Sequence, residues 1–156
     1  MVKAIRFDKT GGPEVMKWVD VEVGEPGAGE IRIRQTAVGL NYIDVYFRTG
    51  LYPLPLPGGL GMEAAGEVTA VGSGVSGLKA GDRVAYVARP PGAYAQERVL
   101  SAAQVIKLPD ALSDEQAASV MLQGLTAQYL LRRTYPVKAG DTILIQAAAG
   151  GVGLLV

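Results

Sequence analysis

A glycine-rich turn near residue 150 has the clearest chemical meaning in this sequence. The segment Gln146-Ala147-Ala148-Ala149-Gly150-Gly151-Val152-Gly153 follows an apolar run over residues 142–145. It is a variant of the dinucleotide-binding fingerprint, with alanine at position 148 in place of the first glycine. The pattern predicts that Gly150, Gly151 and Val152 bind a pyrophosphate through backbone amides, and that Gly153 lets the next helix pack closely. A simple tight turn is the alternative.

The absence of histidine and cysteine limits the reactions that the chain can support. Zinc sites in proteins take most of their ligands from these two side chains, so we predict that no zinc is bound. Hydrolysis by Ser-His-Asp or Cys-His groups is excluded for the same reason. Hydride transfer suits the remaining polar groups, because a bound nicotinamide carries the difficult chemistry.

The charge balance and the hydropathy exclude two classes of partner. Fifteen basic residues match fifteen acidic ones, so no basic face is predicted and nucleic acid is not an expected partner. The apolar runs are far shorter than the roughly 20 residues that cross a bilayer, and no signal-like region follows Met1. We therefore expect a cytoplasmic protein without a membrane partner.

The region that precedes the glycine-rich turn begins with β-rich sequence. Short extended segments alternate with Gly and Pro turns, which predicts a barrel or sandwich. One short helix is expected over residues 41–48, and the proline-rich residues 52–59 are expected to form an extended loop. The expected strands cover residues 3–7, 17–23, 30–38, 66–71, 83–87, 94–99 and 105–107.

The pattern changes to helical after Pro109. Ser113 and Gln116 have the spacing of a capping box, and a further helical stretch over residues 125–134 is closed by Pro136. A turn and a buried strand over residues 142–145 are expected next, which would open an α/β layer. A single strand is not a sheet, so the apolar side chains of Ile143, Ile145, Leu154 and Leu155 are expected to lie uncovered.

Six motifs in order resemble those of the zinc-free quinone oxidoreductases, the zeta-crystallin-like members of the medium-chain dehydrogenase/reductase superfamily. Zinc-dependent alcohol dehydrogenases of that superfamily carry a cysteine near the position of Asn41 and a histidine at the position of Met62, which agrees with the absence of zinc. The resemblance spans essentially the whole chain. The motifs cover residues 11–15, 39–44, 48–53, 61–66, 81–86 and 147–153.

This resemblance implies a fold and an activity. The fold is a mainly β GroES-like catalytic domain over residues 1–122, followed by the first α/β elements of an incomplete Rossmann-type domain over residues 123–156. The activity is NADPH-dependent reduction of quinones by hydride transfer. NAD is the open alternative, because the residue about 20 positions downstream that separates the two cofactors lies beyond Val156. The nearest chemical rival is reduction of an enone or enoyl thioester.

The resemblance also implies the site residues. Asn41 is expected to contact the ribose or carboxamide of the cofactor, and Tyr46 and Tyr52 are expected to line the substrate pocket; these three form the expected catalytic set. A phenol there donates a hydrogen bond to a quinone carbonyl as charge builds on it. The expected cofactor-binding residues are Asn41, Tyr42, Asp44, Tyr46, Gln123, Thr126, Tyr129, Gly150, Gly151 and Val152.

Structural roles compete with some of these assignments. Tyr42 and Tyr46 also suit the core-facing side of a short helix, and for Tyr42 we favour that role. Glu63 is expected to brace a loop through hydrogen bonds. Asp82 and Arg83 are expected to serve a turn and a structural ion pair.

A non-catalytic fragment or binding module is an alternative of a different class. By the resemblance, roughly half of such an enzyme is absent from these 156 residues. We therefore expect the chain alone to bind NADPH weakly and to turn over no substrate, and we expect the complete enzyme to be a homodimer.

Overall fold

Most of this structure consists of β-strands, and in the long strand β3 the side chains alternate between buried and more exposed positions. The computed structural model describes residues 1–156. In β3, Ile31 and Ile33 are fully buried, whereas Arg32 and Arg34 reach the surface, as expected for side chains that alternate across a sheet. The strands are β1 (Val2–Phe7), β2 (Lys17–Val21), β3 (Glu30–Val38), β4 (Gly58–Gly59), β5 (Glu63–Val71), β6 (Arg83–Val87), β7 (Glu97–Ser101) and β8 (Val105–Lys107).

Two antiparallel sheets contain these strands. One has the order β2-β1-β4, and the other has the order β7-β3-β5-β6-β8. Backbone bonds from Ile5 N to Tyr94 O (2.7 Å) and from Gln96 N to Lys3 O (2.9 Å) join β1 to the segment before β7. These bonds connect the smaller sheet to the chain that leads into the larger one.

Two helices complete the framework. Helix α1 (Tyr42–Thr49) connects β3 to β4, and α2 (Asp114–Gln128) follows β8. The chain then continues into a π-helical stretch, Tyr129–Thr134. Single 3-10 turns lie at Pro13–Val15, Ala102–Gln104 and Gly153–Leu155. None of the helices combines the length and the apolar character needed to span a membrane.

Helix α2 lies against the outside of the larger sheet. Its Ala117 and Ala118 pack on Ala65 of β5 and Ala85 of β6, and these small side chains allow the helix and the strands to approach closely. Farther along, Leu122 packs against the apolar cluster that surrounds Phe47 of α1. The predicted domain boundary at residue 122 falls inside α2 and stays a prediction.

The mainly β organisation, the short helix and the capping box at Ser113 are confirmed. Strands β3, β6 and β8 have the predicted bounds, while β5 begins three residues earlier than expected. The region predicted as a strand over residues 94–99 forms β7 over Glu97–Ser101. Strand β4 lies inside the stretch that was predicted to be only an extended loop, because its two glycines pair with β1.

The strand predicted over residues 142–145 is wrong. No regular strand forms there, and Leu144 is 88% exposed. An extended segment becomes a strand only when a neighbour supplies hydrogen-bond partners, and both sheets lack a strand beside this segment. The expectation that Ile143, Ile145, Leu154 and Leu155 lie uncovered is confirmed, since all four side chains are exposed.

Candidate functional site

The N-terminus of α1 places the first of the predicted site residues. Asn41 has extended backbone and precedes the helix, its N–H donates to Asp44 Oδ2 (3.2 Å), and Asp44 N donates to Asn41 O (3.0 Å). This local exchange satisfies backbone groups that a helix start leaves unpaired. The backbone of Asn41 is thereby tied to the start of α1.

Asp44 is a buried residue in the first turn of α1. Besides the Asn41 amide, its carboxylate accepts Gly61 N–H on Oδ1 (3.0 Å) and the Tyr94 hydroxyl on Oδ2 (2.8 Å). Burial, and then this bond to Asp44, raise the pKa of the Tyr94 hydroxyl. Three internal donors already engage Asp44, which holds α1 to the loop before β5; its cofactor contact stays a prediction.

The aromatic residues of α1 divide between two faces. Phe47 is buried and Ile43 packs beside it, whereas Tyr42 and Tyr46 lie one position earlier in the helical repeat, Tyr42 exposed and Tyr46 half-buried. Tyr42 is 73% exposed, so the core-facing role that we favoured for it is wrong. Its ring meets that of Tyr46 edge to face, with centroids 5.4 Å apart.

Tyr52 lies against the same aromatic group. Its ring centroid is 5.2 Å from that of Tyr46 and 6.0 Å from that of Phe47, in edge-to-face arrangements. Its backbone N–H donates to Tyr46 O (3.1 Å). Tyr52 is thus a neighbour of Tyr46 but is not among the residues that line the cleft described next.

A cleft of about 730 Å³ opens between α1 and the last quarter of the chain. Tyr42 and Tyr46 form one part of its wall, and the glycine-rich turn at Gly150, Gly151 and Val152 forms another. Its size lies within the range of roughly 300–1,000 Å³ that is usual for ligand sites. The fold therefore brings two groups of predicted site residues, about a hundred positions apart in sequence, to one cavity.

The glycine-rich turn is tightly closed. Gly150 N donates to Ala147 O (2.8 Å), and Ala147 itself has a positive φ of 54°. A Cβ atom at position 153 would lie 2.5 Å from Ala147 O, so only glycine fits there without a backbone shift. The amides of Gly151 and Val152 donate no hydrogen bond within the protein, and these two N–H groups are free to meet an anion.

The residues predicted on α2 and at the start of the π-helical stretch differ in their positions. Gln123 touches the turn, because its side chain lies over Gly151. Thr126 donates its hydroxyl to Leu122 O (2.7 Å) within the helix. Tyr129 is 59% exposed and lies outside the cleft. The structure therefore brings Gln123 to the turn, and the cofactor contacts of Thr126 and Tyr129 stay predictions.

Glu63 is the most deeply placed carboxylate near the site. It is 1% exposed, and its oxygens accept Asn41 Nδ2 (2.5 Å) and Leu122 N (2.6 Å). Burial raises the pKa of this carboxyl, while the two hydrogen bonds act in the opposite direction. The predicted bracing role is confirmed, although it reaches a helix as well as a loop.

The structural roles predicted for Asp82 and Arg83 are also confirmed. Asp82 accepts Lys79 N (3.0 Å) at a turn and pairs with Lys107 Nζ (2.8 Å). Arg83 pairs with Asp114 at the first position of α2 (2.7 Å), and this ion pair anchors the helix to the larger sheet.

The apolar wall of the cleft was not predicted. Leu130, Leu131 and Tyr135 line it before the turn, and Val137 and Ile143 continue the same surface. Apolar residues on both sides of Pro136 were the available signal, because a proline that ends a helix can fold the chain back on itself.

Comparisons with known proteins agree with this geometry. Residues 27–110 match the family described as the alcohol dehydrogenase GroES-like domain. A quinone oxidoreductase of Pseudomonas aeruginosa is 57% identical over 155 residues, which are 99% of this chain and 48% of that protein. A 2-haloacrylate reductase of a Burkholderia species is 48% identical over 160 residues, covering 98% of this chain and 48% of that protein.

A solved structure extends the likeness to three dimensions. The crystal structure of Escherichia coli quinone oxidoreductase complexed with NADPH matches with a TM-score of 0.94 at 51% identity, over 97% of this chain and 47% of that one. The resemblance to quinone oxidoreductases and the GroES-like fold are confirmed. The chain spans about half the length of the curated relatives it matches.

Proposed function

The chain belongs to the alcohol dehydrogenase GroES-like family, and from this premise we propose that it supplies the catalytic domain and the phosphate-binding turn of a zinc-independent, NADPH-dependent quinone reductase. The observation that carries the proposal is that Tyr46 and the turn at Gly151 and Val152 line the same cleft. The proposed enzyme is cytoplasmic and homodimeric, and its substrate is a small quinone.

The residues around the cleft fit a dinucleotide. Two free backbone amides at Gly151 and Val152 suit the charge of a pyrophosphate. Gly153 permits the closed turn that holds these amides in place. NADPH is the proposed cofactor because an Escherichia coli relative, 51% identical over this chain, was solved with NADPH. When bound, NADPH supplies the hydride.

The side chains of the β domain would prepare the acceptor. A hydroxyl from Tyr46 in the cleft wall would donate a hydrogen bond to a quinone oxygen as negative charge develops there. Tyr52 packs edge to face on Tyr46 and is proposed to share this task. Asn41 would orient the nicotinamide half, and the apolar cleft residues would exclude water. These roles rest on positioning and electrostatics, since the chain contains no histidine or cysteine.

Zinc independence is supported by the ligands available in the chain. Asn41 and Met62 stand where the zinc-dependent relatives carry a cysteine and a histidine, and neither side chain matches the usual zinc ligands. We propose that hydrogen-bond donors take the place of a metal ion in polarising the substrate oxygen.

Reduction of an activated alkene is the second candidate function. The 48% identity to a 2-haloacrylate reductase favours it, because that name describes reduction of a conjugated acid. Both reactions place a hydride on an electron-poor acceptor whose oxygen gains negative charge. The hydroxyls of Tyr46 and Tyr52 could therefore donate a hydrogen bond to that oxygen in either reaction. Side-by-side turnover of a quinone and an enone separates them.

A chimera provides the test. Residues 1–156 are joined to the C-terminal half of the Pseudomonas aeruginosa relative, and NADPH oxidation is followed with a quinone and an enone. We expect quinone-dependent oxidation by the chimera and none by the 156-residue chain alone. A folded chimera that binds NADPH but reduces only the enone would favour the second candidate.

The tyrosines are tested in the same chimera. Tyr46→Phe and Tyr52→Phe each remove one hydroxyl and keep the ring packing. Quinone reduction unchanged by Tyr52→Phe would remove this residue from the catalytic set and leave Tyr46 as the proposed donor.

A further inference from the structure

Glu63 connects two parts of the proposed site, Asn41 before α1 and Leu122 in α2. Its Oε1 accepts the side-chain Nδ2 of Asn41 (2.5 Å), and its Oε2 accepts the backbone N–H of Leu122 in α2 (2.6 Å). Gly39 closes a third side, since a Cβ atom there would lie 2.3 Å from Glu63 Oε1. The carboxylate is therefore held between two segments, the loop of residues 39–41 and helix α2.

Both partners of Glu63 can only donate. An amide NH₂ group and a backbone N–H carry no acceptor, so each oxygen of Glu63 must accept. A carboxylate meets this demand, whereas a carboxamide has one acceptor and one donor. The hydrogen-bond partners therefore require an acidic residue at this buried position, although a glutamine would fill the same space.

The Asn41 amide has one orientation that satisfies the pair. With Nδ2 toward Glu63, the hydrogen bond forms; a flipped amide would set Oδ1 against the carboxylate. The flip is costly because the pair is buried. Glu63 thus decides which end of the Asn41 side chain serves as the acceptor for a bound ligand.

The second bond of Glu63 leads toward the glycine-rich turn. Leu122 precedes Gln123 in the chain, and the Gln123 side chain lies over Gly151. A connected series of contacts therefore runs from Asn41 through Glu63 to the phosphate-binding turn.

We propose that Glu63 is a positioning residue that fixes the Asn41 amide toward the nicotinamide half of the cofactor and holds the α2 segment that carries Gln123. This inference rests on the proposed function, in which Asn41 contacts the cofactor. Glu63 itself touches neither cofactor nor substrate; it acts through its two donors.

The test uses a substitution that keeps shape and changes hydrogen bonding. In Glu63→Gln an NH₂ group replaces one of the two oxygens and must face an N–H donor, either that of Asn41 or that of Leu122. This variant is expected to raise the KM for NADPH in the chimera by about tenfold, with a smaller effect on kcat. Asn41→Asp combined with Glu63→Gln restores complementarity, because the new carboxylate accepts from Gln NH₂. We expect the double variant to recover most of the lost affinity.

Glu67→Gln is the matched control. Glu67 lies on the same strand, is partly exposed and pairs with Arg34 (2.8 Å) at the surface. Its replacement is expected to leave the KM for NADPH unchanged. Melting temperatures of all variants show whether each one folds.

A second readout does not depend on activity. The Asn41 side-chain NH₂ signals in nuclear magnetic resonance spectra, and hydrogen exchange at the Leu122 amide, are measured in the 156-residue chain. Glu63→Gln should shift the former and accelerate the latter. Unchanged signals, or a double variant that recovers nothing, would overturn the positioning role; an inactive wild-type chimera would count against the proposed function instead.

Discussion

The side chain of Gln123 lies directly over the backbone of Gly151. A Cβ atom added at Gly151 would come within 2.5 Å of Gln123 Cδ and within 2.6 Å of its Nε2 and Oε1. This approach connects α2 to the glycine-rich turn across nearly thirty residues of sequence. It also means that the absence of a side chain at position 151 determines where the Gln123 amide can rest.

Gly151→Ala is expected to separate cofactor affinity from stability. The new methyl group meets only the end of a flexible side chain, so Gln123 can move away at little cost in folding free energy. NADPH affinity of the chimera should fall several-fold, because the displaced amide and the methyl group crowd the cleft. Titration of NADPH fluorescence and thermal melting measure the two quantities.

Gly124→Ala is a matched change that should have the opposite effect. Gly124 lies inside α2, and a Cβ atom there would meet nothing within 4 Å. Alanine favours a helix over glycine by about 1 kcal/mol, so the variant should melt at a higher temperature and bind NADPH normally. A lower melting temperature would show that this face of α2 needs glycine.

Gly153→Ala is expected to damage the turn itself. Its methyl group would lie 2.5 Å from Ala147 O and 2.6 Å from Ala148 Cα, which are backbone atoms that cannot move independently. The turn must open, which would displace the backbone amides of Gly151 and Val152 that have no acceptor within the protein. We expect loss of measurable NADPH binding. Affinity equal to that of Gly151→Ala would contradict the closed geometry.

Local patterns in the sequence were enough to predict much of the fold. Extended segments between glycine and proline turns predicted β3, and the spacing of Ser113 and Gln116 predicted the start of α2. Each of these signals is contained in a few neighbouring residues. The strand over residues 142–145 failed because a strand needs partners that a local pattern does not reveal.

The site was predictable where a motif carried its own backbone geometry. A glycine was expected at position 153 so that the next helix could pack closely, but the structure gives a different reason, because Ala147 O of the turn itself lies where a side chain would be. The contact between Glu63 and Leu122 spans 59 positions and leaves no pattern in either segment. The exposure of Tyr42 likewise depends on which face of α1 meets the core, and a helix of eight residues with several aromatics does not settle this.

The ion pair at the start of α2 predicts how stability depends on pH. Burial raises the pKa of Asp114, but hydrogen bonds from Thr36 and Arg83 outweigh it, and the pKa is lowered from its ordinary 3.8. A lowered carboxyl pKa stabilises the folded state above the unfolded value, and this contribution is lost as the pH falls through the folded value. Asp114 therefore stabilises the protein at neutral pH but not in strong acid.

Asp114→Asn should destabilise the chain at pH 7 by roughly 1 kcal/mol, since Arg83 loses its charged partner and the first turn of α2 loses an acidic residue. The difference from wild type should shrink as the pH falls below 3.8. Urea unfolding at several pH values measures both. Asp110→Asn, at an exposed residue just before α2, is the control and should change stability little. A destabilisation by Asp114→Asn that is the same at pH 7 and in strong acid would contradict the assignment, because it would come from packing rather than from charge.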